Sequence, residues 1–392
     1  MSCGNGSVFR RVIEGNENKG VIVFGTGYAG KMAMYILKTI YAVRVLCAFD
    51  NSPSKEGEVF WDDIPCKKAV KTSEDIPVLI CIINEKVAET IRKQCVELGY
   101  RSIFKVSEDD IAAETKEWDE RKCIELMYFC KTGEKLNLDN PANYNEKLQW
   151  LKLNDHDPRM CKMTDKLAVK EYVRDVIGEE HIIPTLGAWN SFDDIDFGLL
   201  PVRFVLKCTH DSGSVEIIND KDNADIFRMR EKFFSAMNRD YYYIAREPGY
   251  IGIPRRILAE PVLKDPNSEY LKDYKVFVFD GEPKIVQVDY DRFRNHTRIM
   301  YSAQWENLGF STMYPYDATK EEERPEELDE LLMLARKLSK AFRHVRVDFY
   351  IADKRIYFGE MTFYHGGGYE KFSDEKWNRT MGDWLTLPGV DR

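Results

Sequence analysis

Residues 344–363 read HVRVDFYIADKRIYFGEMTF. Val345, Val347, Phe349 and Ile351 fall on one side of an extended chain, and Arg346, Asp348 and Tyr350 on the other. An Ala-Asp-Lys turn then returns the chain through Ile356 and Phe358 to Glu360, so the stretch reads as a hairpin with one apolar and one polar face. A three-residue loop sets Asp348 directly opposite Glu360, and a two-residue loop offsets them by one position; the residues leave both registers open. Either way two carboxylates meet on neighbouring strands, which is destabilising unless something neutralises them. Arg346 can do so as an ordinary salt bridge. The other reading is Mg²⁺, which is usually held by one or two carboxylates together with phosphate oxygens. His365-Gly-Gly-Gly-Tyr369 follows at once and lets backbone approach a ligand closely, which favours the metal.

Working outward, further strand-like pairs recur at 202–208 with 215–218 and at 275–279 with 284–290. The helix EELDELLMLARKLSKAF (326–342) puts Leu328, Leu331, Leu332, Ala335, Leu338 and Phe342 on one core-packing face. Hairpins mixed with helices predict an α+β domain. The earlier chain differs: VIVF (21–24), VRVLCAF (43–49) and VLICII (78–83) alternate with helical segments around 30–40 and 86–98, the pattern of an α/β parallel sheet. The expected division is a flexible tail over 1–18, an α/β domain over 19–112 and an α+β domain over 113–392. Within the last, 113–165 is a helical lead-in, about 190–262 one subdomain and 263–392 another.

The 392 residues are 44% hydrophobic and 31% charged, ordinary for a globular protein, and the formal charge of -9 argues against a general nucleic-acid binder. Nine cysteines with no Cys-x-x-Cys pair read as reduced thiols, and the expected location is the cytoplasm. The N-terminal residues carry no apolar signal core, and no run approaches the length of a transmembrane segment.

Gly25-Thr-Gly-Tyr-Ala-Gly30 follows a strand and opens a helix, and Asp50 ends the next strand. In that context Gly25, Gly27 and Gly30 bring backbone N–H groups near a phosphate while Asp50 binds a ribose hydroxyl. A Rossmann-like fold without a nucleotide is the alternative. FDNSPSKEGEVFWDDIPC (49–66) resembles the N-terminal domain of sugar-modifying enzymes in polysaccharide pathways, such as acetyltransferases acting on nucleotide sugars. That resemblance implies a nucleotide-sugar ligand. No catalytic acid or base accompanies the glycines, which speaks against redox chemistry.

In chain order come TDKLAVKEYV (164–173), FVLKCTHDSGS (204–214), ILAEPVL (257–263), DYKVFVFDG (273–281), VDYDRFRNHTRIMY (288–301), VRVDFY (345–350) and YFGEMTF (357–363). This series resembles the ATP-grasp superfamily, and most closely its TupA-like branch, from about Asn137 to Leu387. The resemblance implies two α+β subdomains clasping ATP with Mg²⁺, and ATP-dependent joining of a carboxylate to an amine through an acyl phosphate. It implies phosphate contacts for Lys166 and Lys207, and a phosphate lid over Thr209–Ser214 with donors from Ser212, Gly213 and Ser214. Glu260, Pro261 and Val262 take the place of the adenine hinge, and Lys275 that of a further phosphate contact. Arg292, Arg294, His296 and Arg298 suit the γ-phosphate and a sugar acid, because a guanidinium binds both bidentately; spacing does not say which arginine does which. Asp348 and Glu360 are the implied metal ligands. Glu360-Met-Thr362 departs from the superfamily's Glu-x-Asn, which puts a third ligand in doubt. Without the series, Lys166 reads as a solvated helix lysine, ILAEPVL as a buried strand and some of the arginines as surface ion pairs.

The expected function is amide formation between a uronic acid and an amino acid or amino alcohol in bacterial capsule or surface polysaccharide modification. A nucleotide-sugar at the N-terminal domain is a further expected partner. A glycosyltransferase and a non-catalytic nucleotide-binding protein are the rival readings.

Overall fold

Short apolar runs near the N-terminus become strands, and the three central ones, over 21–24, 45–49 and 78–80, are covered on both faces. The strands are β1 (Val21–Phe24), β2 (Val45–Phe49), β3 (Val59–Trp61), β4 (Ile64–Lys67), β5 (Val78–Ile80) and β6 (Ile103–Lys105). Their order in the sheet is β3-β4-β2-β1-β5-β6, with all pairs parallel except the edge pair β3 and β4. With α1 (Val8–Ile13), α2 (Tyr28–Thr39), α3 (Glu85–Glu97), α4 (Glu108–Thr115) and α5 (Glu120–Thr132) they belong to a first unit, Met1–Leu136. The computed structural model describes residues 7–14, 20–72, 75–264, 271–290 and 296–389.

Two expectations change here. Residues 8–13, expected in a flexible tail, form α1, which buries Val8, Phe9 and Val12 and is capped by the Ser7 hydroxyl. The unit also runs on to Leu136 rather than ending at 112, because α5 buries Cys123, Ile124, Met127 and Tyr128 while packing on α2.

The second unit, Asn137–Arg392, opens with α6 (Tyr144–Asn154), α7 (Arg159–Thr164) and α8 (Val169–Ile177). A four-stranded antiparallel sheet follows: β7 (Gly187–Trp189), β8 (Phe204–Cys208), β9 (Val215–Ile218) and β10 (Ile257–Pro261), in the order β7-β10-β8-β9. Between β9 and β10 lie α9 (Ile226–Asn238) and α10 (Tyr241–Ala245). Phe204, Leu206, Cys208, Ile257 and Ala259 line its apolar face against Phe233 and Met229 of α9. The other face presents Lys207 and Glu260.

A five-stranded antiparallel sheet completes the unit: β11 (Asp273–Phe279), β12 (Glu282–Tyr290), β13 (Thr297–Ser302), β14 (His344–Ala352) and β15 (Arg355–Thr362), in the order β13-β12-β11-β14-β15. Between β13 and β14 runs α11 (Leu328–Ser339), whose Leu328, Leu331, Leu334, Ala335 and Leu338 join Val276, Val286, Val345 and Val347 in one core; α12 (Glu375–Trp384) closes the chain. Among the described residues no helix is long and apolar enough to cross a membrane, and the cysteines are free thiols.

The hairpin register is now settled. Ala352 pairs with Arg355 across a two-residue loop, Asp353-Lys354, with φ of +51° and +58°, the geometry of a tight type I′ connection. That loop alone would set Asp348 opposite Gly359. A bulge between Phe349 and Asp348 leaves Gly359 extra and restores Asp348 opposite Glu360.

The His344 ring sits in the core, with Nδ1 2.8 Å from the Val278 carbonyl and Nε2 2.7 Å from the Tyr144 hydroxyl. Burial pushes its pKa down from 6.5 to about 3, and burial also lowers His210 and His365. The unfolded chain therefore takes up protons that the folded chain refuses. For His344 this contribution to stability is complete above about pH 6.5 and lost as pH falls toward 3, at up to about 1.4 kcal/mol per pH unit, and His210 and His365 act in the same direction. Urea unfolding between pH 7 and 4 should show the loss, with a shallower slope for His344→Gln.

Candidate functional site

The polar face of the large sheet carries one continuous polar row, set by cross-strand register: Gln287, Lys275, Asp348 and Glu360 lie opposite one another on β12, β11, β14 and β15. Lys275 Nζ donates to Asp348 Oδ2 at 2.6 Å. Arg346, two residues earlier on the same face, grips Asp348 with its fork, Nε to Oδ1 at 2.6 Å and Nη2 to Oδ2 at 2.7 Å. The same Nη2 reaches Glu360 Oε1 at 3.0 Å and the Thr362 hydroxyl at 3.1 Å, and Thr362 donates to Glu360 Oε1 at 2.9 Å. Burial alone would raise the Asp348 carboxyl, but Arg346 and Lys275 outweigh it and hold it at about 2. Asp348 is thus buried and ionised, whereas the Glu360 side chain is 44% exposed and keeps Oε2 outside these bonds.

The pair therefore has the salt bridge through Arg346 that the residues allowed. Among the described residues no cluster of three or more His, Cys, Asp or Glu could cage a metal. Two neighbouring carboxylates, one of them open, still match the chemistry of Mg²⁺, which needs few protein ligands when phosphate supplies the rest.

On the small sheet, Lys207 of β8 and Glu260 of β10 form a diagonal cross-strand pair, Nζ to Oε2 at 2.5 Å. Lys170 of α8 takes the other oxygen, Oε1, at 2.6 Å. Burial would raise Glu260, yet the two lysines hold its carboxyl below the usual range. Val262 lies half-buried just past β10.

The loop between β8 and β9 is anchored on its inner half. Thr209 donates to the Pro254 carbonyl at 2.9 Å, His210 Nε2 lies 3.1 Å from the Ala236 carbonyl, and Ser214 donates to buried Asp211. Only Ser212 and Gly213 are exposed at the tip. Lys166 donates to the Asp211 carbonyl oxygen. Burial lowers its pKa, and the charges of Glu360 and Asp211 oppose that shift.

Two residues that the motifs did not single out hold the glycine run. Gly366, Gly367 and Gly368 all have left-handed φ, +55°, +63° and +71°, a succession that other residues strongly resist. Gln149 of α6 donates to the carbonyls of Gly367 and Gly368 at 2.8 and 2.9 Å, and Lys152 to those of Gly367 and Ala245 at 2.8 and 3.2 Å. Their signal in the sequence is faint, since each binds backbone.

Arg298 is placed differently from an open phosphate contact. It is buried, with Nε 2.7 Å from Asp289 Oδ1 and Nη1 3.0 Å from Glu370 Oε2 and from the Thr312 hydroxyl. Glu370 also lies 2.9 Å from His365 Nε2, and His365 Nδ1 accepts from Arg346 Nη1 at 2.6 Å. Arg298 thus braces Arg346 through Glu370 and His365. His296 is half-buried and stacks on Tyr314. Arg292 and Arg294 lie outside the described residues.

In the first unit Gly25 has φ +104°, Gly27 caps α2, and a Cβ on Gly30 would stand 1.9 Å from the Gly25 carbonyl oxygen, so helix and turn pack too closely for any side chain there. Asp50 accepts from the Thr26 hydroxyl at 2.7 Å, the Thr26 N–H at 3.2 Å and the Ser52 N–H at 2.9 Å. Burial raises the Asp50 carboxyl, and these bonds more than offset it. Its first task is to hold the turn.

No curated protein matches the chain. Among solved structures, a D-alanine–D-alanine ligase from Bacillus anthracis is similar at 14% identity and a TM-score of 0.33, covering 88% of this chain and 85% of that one. The ATP-grasp ligase PsnB with its minimal precursor is similar at 11% identity and a TM-score of 0.33, covering 88% of this chain and 90% of that one. An N5-carboxyaminoimidazole synthase from Aspergillus clavatus reaches 14% identity and a TM-score of 0.32, over 88% and 69%. These likenesses are too weak to carry an assignment. The family model for TupA-like ATPgrasp matches residues 146–386, more than half of the chain and nearly all of its second unit. By that match the chain belongs to the TupA-like ATP-grasp family.

Proposed function

We propose that the chain joins the carboxylate of a uronic acid to the amine of an amino acid or amino alcohol at the expense of ATP, in the modification of a bacterial capsule or surface polysaccharide. The observation that supports this most is the row Lys275, Asp348, Arg346 and Glu360, where two cations and two carboxylates share one face. Such a surface suits a polyphosphate with Mg²⁺ beside a reacting carboxylate.

In this reading Glu360 and Asp348 hold Mg²⁺, which when bound screens the charge of the ATP phosphates. Lys207 and Lys166 approach the phosphates from the small sheet and from the chain ahead of α8, and Ser212 and Gly213 close over them, while Ser214, buried and donating to Asp211, holds the base of the loop. The backbone at Glu260 and Val262 meets the adenine. Lys275 and Arg346 stabilise the charge that moves as the substrate carboxylate oxygen attacks the γ-phosphorus and ADP leaves. The amine then attacks the acyl carbon, phosphate departs, and an amide remains. Positioning and charge stabilisation carry such phosphoryl transfer, so no covalent nucleophile is required of the protein. Arg298 is the positioning residue behind Arg346, and Arg292 and Arg294 remain candidates for the sugar acid. The α2 turn at Gly25, Gly27 and Gly30, with Asp50, is proposed to hold a nucleotide-sugar, and the cytoplasm is the proposed location.

ADP release screened across pairs of uronic acids and amines tests the reading. Stimulation that needs both partners supports it; nucleoside diphosphate released from a sugar donor without ATP would indicate glycosyl transfer instead.

A further inference from the structure

Lys170 sits near the ATP residues yet has no role in the mechanism above. A lysine ammonium has three N–H donors and no more. Lys170 directs them to the Ile183 carbonyl at 2.7 Å, the Thr185 hydroxyl at 2.9 Å and Glu260 Oε1 at 2.6 Å. All three are spent inside the protein, and Lys170 is only 9% exposed. Lys207 is different. Its contact among the described residues is Glu260 Oε2 at 2.5 Å, and its side chain is 16% exposed, so two N–H groups stay uncommitted.

Glu260 is 4% exposed. A carboxylate at that depth is strongly destabilising when its counter-ion is removed. If Lys207 were its sole partner, swinging toward a phosphate would strand the charge, and Glu260 would hold the lysine back. A second lysine that cannot move removes that obstacle.

We propose that Lys170 is a positioning residue, the fixed counter-ion of Glu260, which lets Lys207 exchange the carboxylate for an ATP phosphate. Lys170 and Lys207 thus divide the work: one neutralises Glu260 permanently, the other shuttles. This rests on the ATP-binding reading given above.

Calorimetric titration of the full chain with MgATP tests it. Lys170→Met should raise the MgATP dissociation constant at least about tenfold, the size expected when two directly coupled charges lose their shared partner. Adding Glu260→Gln should then recover most of the lost affinity, because the carboxylate that grips Lys207 is gone. A lysine that served only to brace Ile183 and Thr185 would not be rescued in this way. The pair also removes both buried charges together, so it serves as the test should Lys170→Met alone fail to fold, with folding checked by circular dichroism: it must bind MgATP within about threefold of Glu260→Gln alone, in which Lys170 has no carboxylate left to neutralise. Unchanged affinity in Lys170→Met, or a folded pair that stays weak, overturns the division of labour. An unaltered chain that fails to bind MgATP overturns the ATP reading, and the shuttle with it.

Discussion

Replacing Arg346 with methionine is expected to destabilise the second unit by about 3–5 kcal/mol, because two buried charge-assisted hydrogen bonds to Asp348, worth about 1.5–3 kcal/mol each, are lost. Three observations set the size of the effect. Asp348 is buried, both of its oxygens accept from the guanidinium, and Lys275 alone remains to neutralise it. Glu360 and His365 lose a donor in the same substitution. ADP release should fall by at least about 100-fold, as when a transition-state donor is removed. Arg346→Lys keeps a charge but loses the planar fork, so it should recover part of the stability and little of the turnover. Urea unfolding and initial rates of ADP release check both arms; a stability change below about 1 kcal/mol would mean that the row is not held by Arg346.

Lys207→Ala is expected to lower kcat/KM for ATP by about 100- to 1000-fold with little loss of stability. Stability holds because Lys170 continues to neutralise Glu260 at 2.6 Å. Turnover falls because the cation proposed to reach the phosphates is gone. A change of less than tenfold, measured as ADP release against ATP concentration, would remove Lys207 from the site. Together the two substitutions separate a residue that supports both fold and chemistry from one that serves chemistry alone.

Much of this arrangement is legible in the residues. The alternation in HVRVDFYIADKRIYFGEMTF places Asp348 and Arg346 on one face, and the structure keeps them there. The register is not legible there, since the bulge at Gly359 offsets a loop one residue shorter than direct opposition would need. Lys275 stands out in Asp-Tyr-Lys, but its partner Asp348 lies on a strand remote in sequence, and only the order β11-β14-β15 brings them together. Lys170 stands in plain view in TDKLAVKEYV. Its meaning depends on Ile183, Thr185 and Glu260, three acceptors that no spacing rule connects. Arg298 looked like an open phosphate ligand; Asp289, Thr312 and Glu370 enclose it, and these come from three separate segments. At the N-terminus Arg10 and Arg11 interrupt the apolar pattern, which hid the buried face Val8, Phe9 and Val12 of α1.

The central claim is that a substrate carboxylate takes the γ-phosphoryl group of ATP before an amine displaces phosphate. The direct measurement is the fate of ¹⁸O in a uronic acid labelled on its carboxylate, followed by mass spectrometry of the released phosphate. The account predicts one labelled oxygen in each phosphate formed with the amide. Phosphate that carries no label while amide accumulates would contradict it.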